Sequence, residues 1–177
     1  RSRPLAPEQR LRAALKRLLK EVKSTVVYVT HDQIEALSLG DRIAVMKNGS
    51  ILQCDTPLRV YDHPANEFIG SFIGNPPMNF LQGAVEVSGS KVNVQAGGAS
   101  IQPPTSVEGI LKQKISSGVR LGIRAENIEV VSNAQKDAMR GKVLVVEPLG
   151  SHYMLTVMVG DQRVKVNAHA DSVFQPD

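Results

Sequence analysis

The spacing of hydrophobic positions changes near residue 75 and divides the chain. Leu11, Leu15, Leu18 and Val22 recur at i, i+4, i+7 and i+11, which predicts an amphipathic helix over residues 8–23. Arg12, Lys16, Lys20 and Lys23 line another face, which a helix packed on a sheet would turn to solvent. Pro4 and Pro7 keep this helix from starting earlier. Val26, Val27, Tyr28 and Val29 form an unbroken apolar and mostly β-branched run. Such a run predicts a strand buried on both faces of a parallel sheet. It stops at Thr30-His31-Asp32, and Asp32 is placed to cap a helix that begins at Gln33.

Residues 42–46 predict a strand, Lys47-Asn48-Gly49 a hairpin turn, and residues 50–53 its partner, because Asn-Gly accepts positive φ at little cost. Thr56-Pro57 opens a short helix, with Thr56 as cap and Pro57 at the first position, and His63-Pro64 ends it. Residues 66–73 predict a further helix closed by Gly74, and Asn75-Pro76-Pro77 then breaks the chain. The boundary is placed there, giving segments 1–74 and 75–177.

Beyond Leu81 the period shortens to two. Apolar runs at 82–87, 91–95, 119–123, 127–131, 141–147, 153–159 and 162–167 are separated by Gly, Ser, Asn and Asp. Several alternate strictly, as in Lys91-Val-Asn-Val-Gln95 and Arg163-Val-Lys-Val-Asn167. This predicts an all-β module of small-barrel type. The polar, Pro- and Gly-bearing stretch 96–118 predicts loops with one short strand. The expected fold is thus an α/β segment followed by an all-β barrel domain.

Charge adds little. The net charge is +4, yet residues 1–24 carry eight Lys or Arg against Glu8 and Glu21, so the remainder is −2. A basic balance confined to one helix does not make a nucleic-acid-binding face. With no Trp and 4% aromatic residues, side chains for stacking bases are also scarce. One cysteine, Cys54, excludes an internal disulfide and a cysteine-based metal cluster. No apolar run reaches membrane-spanning length, so any membrane role is expected to be peripheral.

Candidate chemistry centres on His31. A strand end followed by a helix start is where open α/β sheets bind ligands. Taken alone, His31 also suits a satisfied strand-end histidine. Asp32 reads as a helix cap rather than a base, and Glu35 as a surface or interface residue. Cys54 reads as a small buried or edge residue, and His63 as loop surface. His152 and His169 lie in different β segments without the spacing of a metal-ligand motif, so no metal site is expected. Arg124 and Glu126 suit an intrachain pair or a regulatory contact.

Tyr28-Val-Thr-His-Asp-Gln-Ile-Glu-Ala36 resembles the switch-histidine segment of ABC transporter ATPases. The resemblance continues through Asp41-Arg-Ile-Ala-Val-Met46, Asn48-Gly49, Pro57, Tyr61, Pro64-Ala65 and Phe72-Ile-Gly-Asn-Pro-Pro-Met-Asn-Phe-Leu81. That ordered pattern is similar to the ATPase subunits of sugar and glycerol-phosphate importers, the maltose-importer type. Gly122-Ile-Arg-Ala-Glu126 and Val145-Val-Glu-Pro-Leu-Gly150 resemble signatures of the regulatory OB-type (TOBE) barrels attached to those ATPases. The family usually has Pro at the position of Ala125 and an acidic residue at that of His152.

The resemblance implies an ATP-hydrolysing, Mg²⁺-dependent importer subunit on the cytoplasmic face of the membrane. It implies a homodimer docked on transmembrane permease subunits, with His31 sensing the γ-phosphate of ATP. It also implies a C-terminal barrel that contributes to dimerisation and to regulation by a small ligand or partner protein, and no nucleic-acid partner. The chain contains no G-x-x-x-x-G-K-[ST] loop, no Leu-Ser-Gly-Gly-Gln signature and no apolar strand ending in Asp-Glu; Gly141-Lys142 is followed by Val143. Residues 1–5 also lack the Leu-Asp expected of the D-loop. The expectation is therefore the C-terminal half of such a subunit, with no ATP or Mg²⁺ bound to this chain alone and no ATP turnover by it. The rival reading is a non-catalytic protein that senses a small ligand, or scaffolds an intact subunit, through its β-barrel.

Overall fold

The computed structural model describes residues 7–22, 24–115, 117–131 and 138–169. It divides into two compact units, Arg1–Gly74 and Asn75–Asp177.

The first unit opens with α1 (Pro7–Glu21), followed by α2 (Gln33–Leu39). The face of α1 turned inward differs from the one its leucines predict. Leu11, Leu18 and Val22 are exposed, whereas Arg12, Leu15 and Leu19 are partly covered. Polar anchors set this rotation. Arg12 Nη2 lies 3.0 Å from Asp32 Oδ2, and Lys16 Nζ donates to the Ser38 carbonyl at 2.6 Å. Two of the cations expected to face solvent thus hold α1 against α2.

The expectation for residues 26–29 is overturned. They carry no regular secondary structure, and Val27 and Val29 are 87% and 89% exposed. A buried parallel strand needs neighbours on both edges and cover on both faces. Among the described residues no strand pairs with this run, since β1 (Ile43–Lys47) and β2 (Ser50–Asp55) pair only with each other.

The β1–β2 hairpin turns through Asn48 (φ 51°) and Gly49 (φ 79°), both left-handed, as the sequence predicts. Then come α3 (Pro57–Asp62) and α4 (Glu67–Phe72). The Thr56 hydroxyl makes no cap bond, although its carbonyl accepts the Val60 N–H at 3.0 Å. Asn66 lies outside α4 as its cap, with Oδ1 accepting from Ile69 N at 3.0 Å. The helix ends before Gly74, where Ile73 N donates to the Ile69 carbonyl at 2.8 Å. Ile43, Val45, Val60, Ile69 and Ile73 form the core of this unit.

The second unit is built of antiparallel strands. β3 (Asn79–Ser88), β4 (Lys91–Ala96), β5 (Ala99–Ile101) and β6 (Gly118–Ile123) form a sheet in the order β5-β4-β3-β6. β7 (Lys142–Pro148), β8 (His152–Val159) and β9 (Gln162–His169) form a second, in sequence order. Leu81, Val94 and Ala96 from the first share one core with Leu155, Val159, Val164, Val166 and Ala168 from the second. On β9 the alternation is strict: Val164, Val166 and Ala168 are buried and the residues between them are not.

Two expectations fail here. The stretch 96–118 holds a helix, α5 (Thr105–Lys112), besides the short strand β5. The run 127–131 is not a strand: a 3-10 turn, Ala125–Asn127, leads into irregular chain. Its apolar residues Ile128 and Val130 alternate with Asn127 and Glu129, but no described strand offers them a ladder.

The two sheets are also joined by side-chain amides. Asn79 Nδ2 donates to the Lys165 carbonyl at 2.8 Å, and Lys165 N donates to Asn79 Oδ1 at 2.7 Å. Gln82 N donates to Gln162 Oε1 at 2.8 Å. The β9 edge would otherwise present unpaired backbone groups, and Asn79 meets two of them as a neighbouring strand would.

Candidate functional site

His31 is exposed and sits between two residues that are each pinned. After it, Asp32 caps α2: Oδ1 accepts from Ile34 N at 2.8 Å and from Glu35 N at 3.2 Å. Before it, Thr30 Oγ1 accepts from Asp32 N at 3.0 Å and donates to Glu35 Oε2 at 2.7 Å. Tyr28 donates its hydroxyl to the same carboxylate oxygen at 3.1 Å. Glu35 therefore gathers the segment before His31, while its own N–H secures the segment after it. This goes beyond the surface or interface role that the sequence pattern suggests for Glu35. Its position three residues into a capped helix, five from a threonine, is the signal that points to such a role.

The electrostatics follow from these bonds. The Glu35 backbone N–H, with the Ile34 N–H and the Arg12 guanidinium adding to it, holds the Asp32 carboxyl below its ordinary range against an opposing effect of desolvation. Asp32 is thus an anion committed to backbone donors and Arg12. The Glu35 carboxylate, accepting the Tyr28 hydroxyl, pushes that phenol up. Gln33 secures the far side of α2: Nε2 donates to the Phe72 carbonyl, and Oε1 accepts from Gly74 N at 2.9 Å. One side chain thereby ties the start of α2 to the end of α4, a contact that sequence spacing gives no reason to expect.

The other named residues lie apart from His31. Cys54 is exposed on β2, opposite Ala44, and His63 is exposed at the end of α3. Among the described residues, no group of three or more His, Cys, Asp or Glu could hold a metal ion. The D-loop positions 1–5 and Lys23 lie outside the described residues.

In the second unit, Arg124 is only 3% exposed, at the end of β6 beside the fully buried Ala125. The exposed Glu126 that follows lines an open cleft of about 540 Å³, bounded by residues 126–130 on one side and 167–169 on the other. Asn167 Oδ1 is buried without a hydrogen-bond partner among the described residues. His169 stands on the rim, and its register partner across β8–β9 is His152.

Residues 74–128 match the family model of the MalK OB fold domain, and residues 121–177 match that of the TOBE domain. The chain is 38% identical over 158 residues to the oligosaccharides import ATP-binding protein MsmX of Bacillus subtilis, covering 86% of this chain and 42% of that protein. It is 37% identical over 180 residues to the trehalose/maltose import ATP-binding protein MalK of Thermococcus litoralis, covering 93% and 48%. Against the maltose/maltodextrin import ATP-binding protein MalK of Mannheimia succiniciproducens the identity is 40% over 145 residues, covering 80% and 38%. The chain carries the MalK OB fold and TOBE domains and is homologous over most of its length to sugar import ATP-binding proteins of the MalK and MsmX type. It spans less than half the length of these curated relatives and matches their C-terminal part.

Within this family frame, the OB fold match takes in β3 to β6 and the TOBE match takes in β7 to β9. The two matches overlap at 121–128, where Arg124 and Ala125 are buried. His31 lies in the segment that precedes both. No described helix is long and apolar enough to cross a membrane.

Proposed function

We propose that the chain forms the switch-histidine segment and the regulatory domain of the ATP-hydrolysing subunit of an ABC importer for a carbohydrate or glycerol phosphate. The observation that carries this reading is the framing of His31: Thr30 and Asp32 are fixed on either side of it, and its imidazole stays exposed at the start of α2. A backbone fixed on both sides of His31 leaves its exposed imidazole where a phosphate oxygen could approach it. In this reading the subunit acts as a homodimer on the cytoplasmic face, docked on transmembrane permease subunits.

Mg²⁺-ATP would supply the transferable γ-phosphoryl group. Of the groups at this site, His31 suits a contact to it as a hydrogen-bond donor. Asp32 does not suit a Mg²⁺ ligand, because its two oxygens already serve Ile34, Glu35 and Arg12. These 177 residues contain neither a phosphate-binding loop nor its lysine, so the chain by itself does not turn over ATP.

The test begins with the reading frame upstream of Arg1 in the native locus, where a phosphate-binding loop, a Leu-Ser-Gly-Gly-Gln signature and an Asp-Glu strand end are expected. In the subunit that carries them, His31→Ala should lower ATP turnover by about 10²-fold or more while nucleotide binding persists. Unchanged turnover in that variant refutes the assignment. Turnover by the 177-residue chain alone, lost in His31→Ala, refutes the claim that it is inactive by itself.

A second reading rests on the cleft between residues 126–130 and 167–169, whose size and polar lining from Glu126, Asn127, Glu129 and Asn167 suit a small polar ligand. In that case the barrel senses a solute without catalysis. Saturable binding of a small solute to the chain, lost in Asn167→Leu, would favour it.

A further inference from the structure

We propose that His152 and His169 form a two-imidazole binding site for a borderline-soft divalent cation, Cu²⁺ or Zn²⁺. The argument starts from the register. β8 and β9 are joined by a two-residue turn, with Val159 opposite Gln162, and their pairing runs without a bulge to His152 opposite His169. A pair that closes a two-residue turn exchanges both backbone hydrogen bonds, and bonded and non-bonded pairs then alternate along the ladder. Val159–Gln162 is therefore a bonded pair, and His152–His169, seven steps along, is a non-bonded one. In a non-bonded pair the Cα atoms approach to about 4.5 Å, closer than in a bonded pair, and both side chains project from the same face.

That face lies opposite the one β9 turns to the core, and residues 126–130 border it across the cleft. Val164, Val166 and Ala168 are buried on β9, while His169 is exposed and His152 half-buried. Opposed imidazoles at this spacing can converge on one ion at metal–nitrogen distances of about 2.0–2.1 Å. His152 Nδ1 lies 3.0 Å from Ser151 Oγ. A hydrogen bond at that nitrogen orients the ring and leaves Nε2 to the metal, the usual division of labour in histidine ligands. Lys165, a cation on the same face of β9, is engaged by Glu147 at 2.9 Å. No third His, Cys, Asp or Glu joins the pair into a larger group among the described residues, so water completes the coordination. Two nitrogen ligands with open positions favour Cu²⁺ over Zn²⁺ and exclude Mg²⁺ and Ca²⁺, which take oxygen ligands.

The experiment uses the full 177-residue chain without an affinity tag. It is titrated calorimetrically with CuCl₂, ZnCl₂ and MgCl₂ in a non-chelating buffer. The expected result is one Cu²⁺ or Zn²⁺ per chain, copper the tighter, and no heat with Mg²⁺. His152→Gln and His169→Gln should each weaken binding by about tenfold or more, and His63→Gln should not. Cu²⁺ electron paramagnetic resonance on the unaltered chain gives a readout independent of any variant's folding, and two equivalent imidazole nitrogens are expected. The proposal is overturned by no binding at millimolar ion, by binding that survives both glutamine variants, or by a spectrum with fewer than two imidazole nitrogens.

Discussion

Replacing Asn79 by alanine removes the carboxamide that joins β3 to the edge of β9. Counting along the β8–β9 ladder, Thr156–Lys165 is a non-bonded pair, so the N–H and C=O of Lys165 point away from β8 toward the edge that pairs with no described strand. Asn79 satisfies both, at 2.7 and 2.8 Å, and is itself only 8% exposed. Each such bond contributes about 0.5–1.5 kcal/mol net, and a buried backbone group left without a partner costs about 1–3 kcal/mol. Lys165 is half-buried, so water replaces part of what is lost. The expected loss for Asn79→Ala is about 2–4 kcal/mol in the second unit. Asn79→Asp is the sharper test. It keeps the acceptor for Lys165 N–H but sets an anionic oxygen against the Lys165 carbonyl, so at neutral pH it should lose at least as much. Because the chain has two compact units, the assay must report on one of them. Urea-dependent hydrogen exchange, read by mass spectrometry on peptides from 79–88 and 162–169, does so. A loss below about 0.5 kcal/mol for the alanine variant, or an aspartate variant as stable as the parent, would refute the reasoning.

Four further outcomes follow from local geometry. Leu155 is 1% exposed in the core shared by both sheets, and Leu155→Ala should cost about 3–5 kcal/mol in urea unfolding of the second unit. Gly97 sits at φ +57°, and a Cβ at that position would lie only 2.5 Å from Val159 Cγ1, so Gly97→Ala should destabilise by about 1–3 kcal/mol. Gly109, inside α5 with open space around it, should behave oppositely: Gly109→Ala should stabilise by about 0.5–1 kcal/mol, and a common sign for the two glycines would contradict the geometry. The folded state holds the Asp32 carboxyl below the ordinary value near 3.8, so its contribution is complete above that value and is lost as pH falls through the folded one. Protection of the Ile34 and Glu35 amides against hydrogen exchange should decline across that acid range, and protection that instead rises on acidification would show the sign to be wrong.

Asp32 and Asn48-Gly49 are legible in the sequence because each acts within two or three residues of itself. A cap needs only its own oxygen and the next free N–H groups, and a left-handed turn needs only the residues that tolerate it. The alternation in 91–95 and 163–167 likewise announces strands with one buried face, and the placing of His31 ahead of a capped helix is readable from local pattern alone. The apolar run at 26–29 marks the limit of such reading. Its composition states a preference for a buried strand, but burial depends on neighbours, and none of the described strands pairs with it. Residues 127–131 depart from their pattern for the same reason. The inward face of α1 departs from its leucine spacing because Arg12 and Lys16 find partners in Asp32 and Ser38, an attraction that spacing within one helix cannot encode. Residues far apart in the chain gain their roles only in space. Gln33 bridges to Phe72 and Gly74, Asn79 to Lys165, and His152 meets His169 through a register that the turn at Gly160-Asp161 fixes. The sequence by itself thus determined the Asp32 cap, the Asn48-Gly49 turn, the alternation of β4 and β9 and the family pattern, since these depend on short-range sterics and hydrogen bonding. Tertiary structure alone decided which apolar faces are covered, which polar groups complete each other across the sheets, and which two histidines stand side by side, since those depend on long-range pairing between strands.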